Sequence, residues 1–431
     1  LPANNKLYNS NICESPKKNK TMATVSLYDC YIYARTRDEI MLETKATSQG
    51  QTGKFTEEQL SWLKKAKDFA RRVSLSEVMA SDRENVFRRD LFEAACKEGM
   101  GALPFPPTYG GSGGDYLSFA LLNEEFGRTC MPVMSSLGVH VLCQEPIYRF
   151  GTEEQKQKYL VPAASGKYLG AFGLTEPNAG SDTAAIETTA KLEGDHYILN
   201  GTKTFITSGA SADFYIVMAK LLEPGAESKK GNITSFIVER GFEGFAIGQK
   251  FDMLGMRGYS TCEIVFNDCR VPQANLLGAH GEGRKVALSS LAKGRITIAA
   301  QSIGWAQGAL DACTETLRRY YLDGLTSADA AGQALALGNL AVLTESARVL
   351  TYQAARLVDA GEASVTLAAM AKTQATDVAM RVATEAISLI GIDGLKPDIL
   401  IERIFRDAKA GQIYEGTNQI QRMLIARDLL K

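Results

Sequence analysis

Apolar residues recur at helical spacing from the first ordered pattern in the chain. Leu60, Leu63, Ala66 and Ala70 follow one another with lysines between them, and Thr56 stands where a cap belongs, so a helix is expected from about Phe55. Arg88–Glu98, Leu117–Arg128 and Glu153–Ala164 also read as helices, broken by the turn-rich run Pro104–Gly114. The period then changes. Tyr197-Ile-Leu-Asn200-Gly201-Thr202 reads as an apolar strand entering an Asn-Gly hairpin turn. Phe214–Ala219, Thr234–Glu239 and Cys262–Phe266 are further short β-rich runs separated by Gly, Pro and Asn. Helical spacing returns over Val286–Tyr321, Ala330–Ala360, Ala363–Leu389 and Thr417–Leu430, where alanines and the positions Leu367, Met370, Ala371 and Val378 suit close antiparallel packing.

The expected fold class is therefore α+β multidomain: an N-terminal α-helical domain over 53–167, a middle β domain of barrel or sandwich type over 168–280, and a C-terminal helical bundle over 281–431. Residues 1–52 stand apart. Leu1–Thr21 is rich in Asn and Lys, has no apolar core and precedes a plausible start at Met22, with neither a secretory h-region nor an arginine-rich import pattern. A disordered or artificially attached extension is expected there.

Composition narrows the function classes. With 48 basic and 49 acidic residues the formal net charge is −1, which offers no broad attraction to nucleic acid or an anionic membrane. The 45% hydrophobic fraction is that of a globular chain, yet no apolar run approaches the roughly 18 residues of a membrane span. Eight scattered cysteines contain no CxxC pair, and His140, His196 and His280 are the only imidazoles, so no metal site is expected. Scattered thiols fit a reducing compartment, and a soluble protein of the cytoplasm or mitochondrial matrix is expected. The chemistry must then rest on carboxylates, hydroxyls and a borrowed cofactor.

Three segments are richer than folding alone requires. Phe172-Gly-Leu-Thr-Glu-Pro-Asn-Ala-Gly-Ser-Asp182 offers the hydroxyls of Thr175 and Ser181, and Gly180 permits close approach of a ligand to the backbone; a plain turn-rich linker is the competing reading. Lys203-Thr-Phe-Ile-Thr207 places an aromatic between two threonines, which an ordinary strand with Phe205 packed inward would also explain. In Ile413-Tyr-Glu-Gly-Thr-Asn-Gln-Ile-Gln-Arg422, Glu415 lies between Tyr414 and Gly416, just before a helix that Thr417 can cap. A carboxylate on such a loop can swing toward a ligand as a general base, or it can be a solvated residue of a helix entry.

Taken together, residues 55–431 resemble the acyl-CoA dehydrogenase family. The resemblance is carried by Tyr109-Gly-Gly, Phe150-Gly-Thr-Glu-Glu-Gln-Lys156, Leu174-Thr-Glu-Pro-Asn-Ala-Gly-Ser-Asp182 and Asn200-Gly-Thr-Lys203, and by Gly255-Met-Arg257, Val271-Pro272, Arg406-Asp-Ala-Lys409 and Ile413-Tyr-Glu-Gly-Thr417. It implies a C-terminal four-helix bundle, FAD between the β domain and the helices, and removal of an acyl thioester's α-proton as the β-hydrogen leaves to flavin N5. It makes Glu415 the base and excludes the alternative base position, which is Gly294, just before Arg295. Phe172, Leu174, Thr175, Gly180, Ser181, Phe205, Thr207, Thr417 and Gln419 are implied FAD contacts; Ser181, Arg295, Tyr414 and Gly416 are implied substrate contacts. The implied partners are an acyl-CoA or acyl-carrier-protein substrate, electron-transfer flavoprotein and further copies in a homotetramer or dimer. An acyl-thioester isomerase or binding protein with weak or absent FAD is the alternative.

The pattern departs from the family in places. Tyr320-Tyr-Leu-Asp-Gly324 replaces an Arg-x-x-Phe-Gly run, with Arg318 or Arg319 as possible substitutes, and Ser388-Leu-Ile-Gly-Ile392 replaces Gln-x-x-Gly-Gly. Ala292 stands where an acid or amide often holds the pantetheine chain, and Tyr259 replaces a common serine. A retained flavin with an altered grip on its nucleotide half is the expectation.

Overall fold

The computed structural model describes residues 55–222, 232–322 and 327–431. The expected extension over 1–52 lies outside them, as do Asp323 and Gly324 of the altered phosphate run. The described chain opens with helices α1 (Glu57–Ala70), α2 (Leu75–Glu84), α3 (Arg89–Lys97), α4 (Tyr116–Arg128) and α5 (Met134–Phe150). Thr56 and Ser74 start α1 and α2 with capping boxes: each hydroxyl accepts an amide three residues on, and Gln59 or Glu77 reaches back to the cap amide. The hydrophobic pattern foresees neither α2 nor α5. Helix α5 is buried on nearly every side, so it lacks the polar face that makes a helix visible as a 3.6-residue alternation. The helix expected over Glu153–Ala164 is interrupted, with Lys156–Leu160 widened to a π-helical turn; Pro162 nearby has no amide to donate to Lys158.

Among the described residues, eight strands form one mixed sheet: β1 (Gly170–Gly173), β2 (Thr189–Glu193), β3 (His196–Ile206), β4 (Phe214–Leu222), β5 (Ile233–Glu239), β6 (Phe245–Lys250), β7 (Cys262–Pro272) and β8 (Leu276–Leu277), in the order β6-β7-β3-β2-β4-β5-β8 with β1 beside β4. Strand β4 carries β5 on one edge and shares the other between β1, alongside Phe214–Val217, and β2, alongside Lys220–Leu222. The segment from Leu174 to Thr188 therefore leaves the sheet and returns to the same edge. Asn200-Gly201 is not the hairpin turn its residues suggest. It lies inside β3 at a bulge, Gly201 has φ +145°, and a Cβ there would stand 2.7 Å from Thr188 Cα. The turn falls instead at Gly194 and Asp195, between β2 and β3.

Helices α6 (Gly283–Leu322), α7 (Ser327–Asp359), α8 (Val365–Ile390), α9 (Leu400–Gly411) and α10 (Asn418–Leu429) complete the described chain. Helix α9 is also absent from the expected pattern, being short and set between Pro397 and Gly411. Helix α6 packs on α4, α5, α7, α8 and α9. It lies against α4 because Gly304 and Gly308 face the α4 carbonyls of Glu124 and Arg128, and any side chain at these glycines would collide with them. The end of α7 returns to cap α4: Asp359 accepts the Tyr116 and Leu117 amides at 2.6 and 3.0 Å.

Candidate active site

Helix α5 is the seam between the sheet and the bundle. On its sheet side, the buried His140 Nδ1 accepts the Gly170 amide at 3.1 Å while Nε2 donates to the Ala163 carbonyl at 3.0 Å. Burial pushes this imidazole down to about 4, so it stays neutral and serves as donor and acceptor at once. On the bundle side, α5 presents Leu142 to Gly294 and Gly138 to Gln301 of α6.

The segment after β1 is anchored from beneath by a buried ion pair. Lys203 Nζ meets Glu176 Oε1 at 2.6 Å and the Leu174 carbonyl at 3.3 Å, and Glu176 also accepts the Glu187 and Thr188 amides. Both side chains are nearly sealed from solvent. Burial works to raise the Glu176 carboxyl, but the ammonium and the donors together hold it below the usual range. The Thr204 amide donates to the Thr175 carbonyl at 2.9 Å, which fixes the segment over β3. Phe172 and Leu174 are half-buried against the apolar cluster that contains Tyr159, Phe214 and Ile216. Gly180 and Ser181 are exposed, and a Cβ added at Gly180 would meet nothing within 4 Å.

Phe205 does not pack inward. It has φ +55°, remains 56% exposed and stacks on Phe251 with ring centroids 4.7 Å apart. A left-handed backbone at a phenylalanine costs about 1–3 kcal/mol, and here it turns a large ring out of a strand toward open space. Thr207 follows half-buried, and Ser208 (φ +62°) donates to Ser136 of α5 at 2.9 Å.

The second group of residues is built around Glu415. Its loop is placed by α9, which two of the sequence motifs dock: the Met256 amide donates to Asp407 at 2.5 Å, and Arg406 forks onto Asp82 at 2.7 and 3.2 Å. Tyr259 is a core residue here; its hydroxyl donates to the Met131 carbonyl and its own carbonyl accepts the Ser208 amide. After α9 the Tyr414 amide closes on Ala410, and the chain enters two left-handed residues, Glu415 (φ +51°) and Gly416 (φ +90°). This pair aims both carbonyls back into the protein. Gln421 Nε2 donates to them at 3.2 and 3.1 Å, and Lys372 Nζ donates to the Gly416 carbonyl at 2.9 Å. Thr417 then caps α10 by accepting the Ile420 amide.

The Glu415 carboxylate lies over Gly294, where any Cβ would overlap Oε2. Oε2 is buried and accepts no hydrogen bond from the described residues. The Glu415 amide likewise donates to nothing among them. Burial pushes the carboxyl up to about 7, with Lys372 and Arg295 acting in the opposite direction. Arg295 is itself buried with Nε unpartnered, and Tyr414 reaches Gln301 Oε1 at a long 3.5 Å. At the other end of the loop, Thr417 and exposed Gln419 line a cavity of about 270 Å³ with Lys409 and Arg422.

Glu415, Arg295, Tyr414, Gly416 and Thr417 thus form one cluster, and Leu174, Thr175, Phe205 and Thr207 form another; α5 touches the first through Leu142 and the second through Ser136, which meets Ser208. Sequence reasoning gave no role to Lys372, Gln421 or the Lys203–Glu176 pair. The signal for Lys372 is present: it is a charged residue on the otherwise small or apolar face Ala368, Ala371, Ala375 and Ala379. Of the departures, Ser388 is exposed and bonds only its own helix, Ile392 is 78% exposed beyond Gly391, Ala292 is half-buried, and Arg319 pairs with Glu315 at 3.3 Å.

A helical unit, a mixed sheet and a long-helix bundle thus stand with a buried, unpartnered carboxylate oxygen on the loop before α10. Residues 56–167, 171–269 and 281–430 match the N-terminal, middle and C-terminal domains of acyl-CoA dehydrogenase in turn, and the chain belongs to the acyl-CoA dehydrogenase family. It is 44% identical to the short-chain specific acyl-CoA dehydrogenase of Clostridium acetobutylicum over 77% of this chain and 87% of that one. The solved butyryl-CoA dehydrogenase of Megasphaera elsdenii is 40% identical, with a TM-score of 0.83 over 88% of this chain and all of that one. A chain solved in work on the electron transferring flavoprotein of Acidaminococcus fermentans is 42% identical, with the same TM-score over 88% of this chain and 99% of that one. Among the described residues, no helix is long and apolar enough to cross a membrane and no cluster of metal ligands occurs.

Proposed function

We propose that the protein catalyses FAD-dependent α,β-dehydrogenation of an acyl-CoA, with Glu415 removing the α-proton. The observation that carries this reading is the Glu415 carboxylate: buried, with Oε2 unpartnered, on a loop whose own amide is unused. An α-C–H beside a thioester is a weak acid, so a competent base must be desolvated and poised near the working pH. Burial does this for Glu415. The free Glu415 amide is a donor for the thioester oxygen, where negative charge develops as the proton leaves. Gly416 leaves the acyl side of the loop without a side chain, and Arg295 and Tyr414 bound the carboxylate.

The residues present fit FAD. Phe205 offers an outward ring, the Leu174–Ser181 segment offers backbone and hydroxyls, and the cavity by Thr417 and Gln419 adds Lys409 as a cation for a phosphate-bearing moiety beside Arg422, which pairs with Asp377 at 2.6 Å. When bound, FAD supplies the acceptor for the β-hydrogen. Electron-transfer flavoprotein is the proposed electron acceptor, in line with the Acidaminococcus relative. Assembly into several copies is supported by Leu335, Val342 and Val349, which line an outer face of α7 at 61–70% exposure.

The test is anaerobic mixing of the yellow protein with butyryl-CoA. Bleaching is expected for the wild type and none for Glu415→Gln, which should still bind the thioester. Dehydrogenation by the variant, or a colourless protein that FAD does not reconstitute, overturns the reading.

A further inference from the structure

Lys372 is a buried ammonium with no carboxylate at salt-bridge distance among the described residues. It lies on α8 with no exposed surface, and the acceptors around Nζ are neutral: the Gly416 carbonyl and Asn418 Oδ1, both at 2.9 Å. Asn418 is held in turn by Thr376 and Asp377, so the amide has one orientation toward the lysine. Burying a charge beside neutral partners is costly, and a methionine would fill the same space more cheaply. The expense has a purpose only if the charge acts on a neighbour. The carbonyl that Nζ grips belongs to the residue after Glu415, and Glu415 exerts the strongest Coulombic influence on Lys372.

We propose that Lys372 is a positioning residue for the Glu415 base: it clamps the left-handed Glu415–Gly416 loop through the Gly416 carbonyl, and its charge favours the ionised carboxylate. The inference rests on the reading of Glu415 as the base. The groups facing Glu415 are Arg295 from α6, Lys372 from α8, Cys143 from α5, Tyr116 from α4 and Tyr414 of its own loop. Those facing Lys372 besides Glu415 are Asp377 on its own helix, Arg422 of α10 and Arg295. Only Arg295 and Lys372 oppose the effect of burial on Glu415. Arg295 sits next to Gly294 on the helix beneath the carboxylate, whereas Lys372 approaches from the backbone side of the loop. Both cations act on one carboxylate through space, and of the two Lys372 also hydrogen-bonds the loop that carries it.

The discriminating variant is Lys372→Gln, which keeps a donor for the Gly416 carbonyl and removes the charge. In the FAD-loaded protein with butyryl-CoA, the ascending limb of kcat/KM against pH should move upward by about one unit or more, a tenfold or larger loss on the acid side. Lys372→Arg should return the limb to its wild-type position. A Gln variant whose limb stays put, or an Arg variant displaced as far as the Gln variant, overturns the proposal, because the charge of Lys372 then does not act on Glu415.

Two measurements need no turnover and so separate this inference from the proposed function. The protonated-carboxyl infrared band of Glu415, taken as the difference between each protein and its Glu415→Gln counterpart, should titrate higher in Lys372→Gln than in the wild type. Reciprocally, with Lys372 unaltered, its ammonium should lose its proton at lower pH in Glu415→Gln than in the wild type, as read by the 15N resonance. This second titration decides the matter even if the substitutions at 372 prevent folding; an unchanged Lys372 titration overturns the coupling.

Discussion

Gly294 clears the space that the Glu415 carboxylate fills: Oε2 lies where the Cβ of any other residue at 294 would be, and Leu142 Cδ1 would stand 3.1 Å from that Cβ on the other side. An acidic side chain at 294, the alternative base position that the family resemblance implies, and the carboxylate at 415 would thus aim at the same volume from two elements. One site cannot hold both side chains.

Gly294→Ala therefore tests position rather than stability. The obstructed atom is the end of a flexible side chain, so the fold should tolerate the methyl group while the carboxylate is pushed aside. A displacement of about 1 Å costs on the order of 100-fold in rate. Steady-state kinetics on the FAD-loaded variant should show that loss in kcat, with the melting temperature and flavin content near wild type.

The acid limb of activity follows from burial of the same group. Glu415 is raised to about 7, and as the proposed base it acts only when ionised, so kcat/KM should fall as pH drops through about 7 and level off above it. A limb near 4.5, the value of an ordinary glutamate, would show that the carboxylate is solvated in the free protein.

Lys203→Met should be severely destabilising. It leaves the Glu176 carboxylate buried without its cation, and breaking a sealed pair in this way costs about 3–5 kcal/mol. Because Lys203 also holds the Leu174 carbonyl, the segment proposed to line the flavin should loosen. Thermal melting and the ratio of flavin to protein after gel filtration would both fall; loss of stability with full flavin retention would separate the pair from the cofactor.

His140 makes the protein sensitive to acid. Its imidazole is held neutral down to about 4, against about 6.5 in the unfolded chain, so the unfolded state binds the proton first. The stabilisation is complete above about 6.5 and is lost as pH falls toward 4, amounting to roughly 3 kcal/mol across that window. Denaturant titrations at pH 7 and pH 4.5 should differ by most of this amount in the wild type and by less in His140→Gln.

Phe205→Gly should leave the apo protein at least as stable, because an exposed ring is lost and glycine adopts φ +55° without strain. FAD affinity should fall at least tenfold, as read by quenching of flavin fluorescence. An unchanged affinity would remove Phe205 from the cofactor site.

Much of this architecture was already written in local patterns. The capped helix at Thr56, the apolar runs of β4 and β5 and the long alanine-rich helices show in the chain what each element buries, and the run from Tyr414 to Thr417 identifies the loop that bears the carboxylate. Helix α5 was not legible, because burial on all sides removes the contrast that a period needs. Asn200-Gly201 reads locally as a turn, yet pairing with β7 on one side and the approach of Thr188 on the other make it a bulge in a continuous strand.

The tertiary structure alone decided what surrounds Glu415. Gly294 and Arg295 come from α6 and Lys372 from α8, at sequence separations that no local period spans. A carboxylate's acidity depends on burial and on charges brought near it in space, and neither is a property of neighbours in the chain. The sequence named the residue; only packing made it a plausible base.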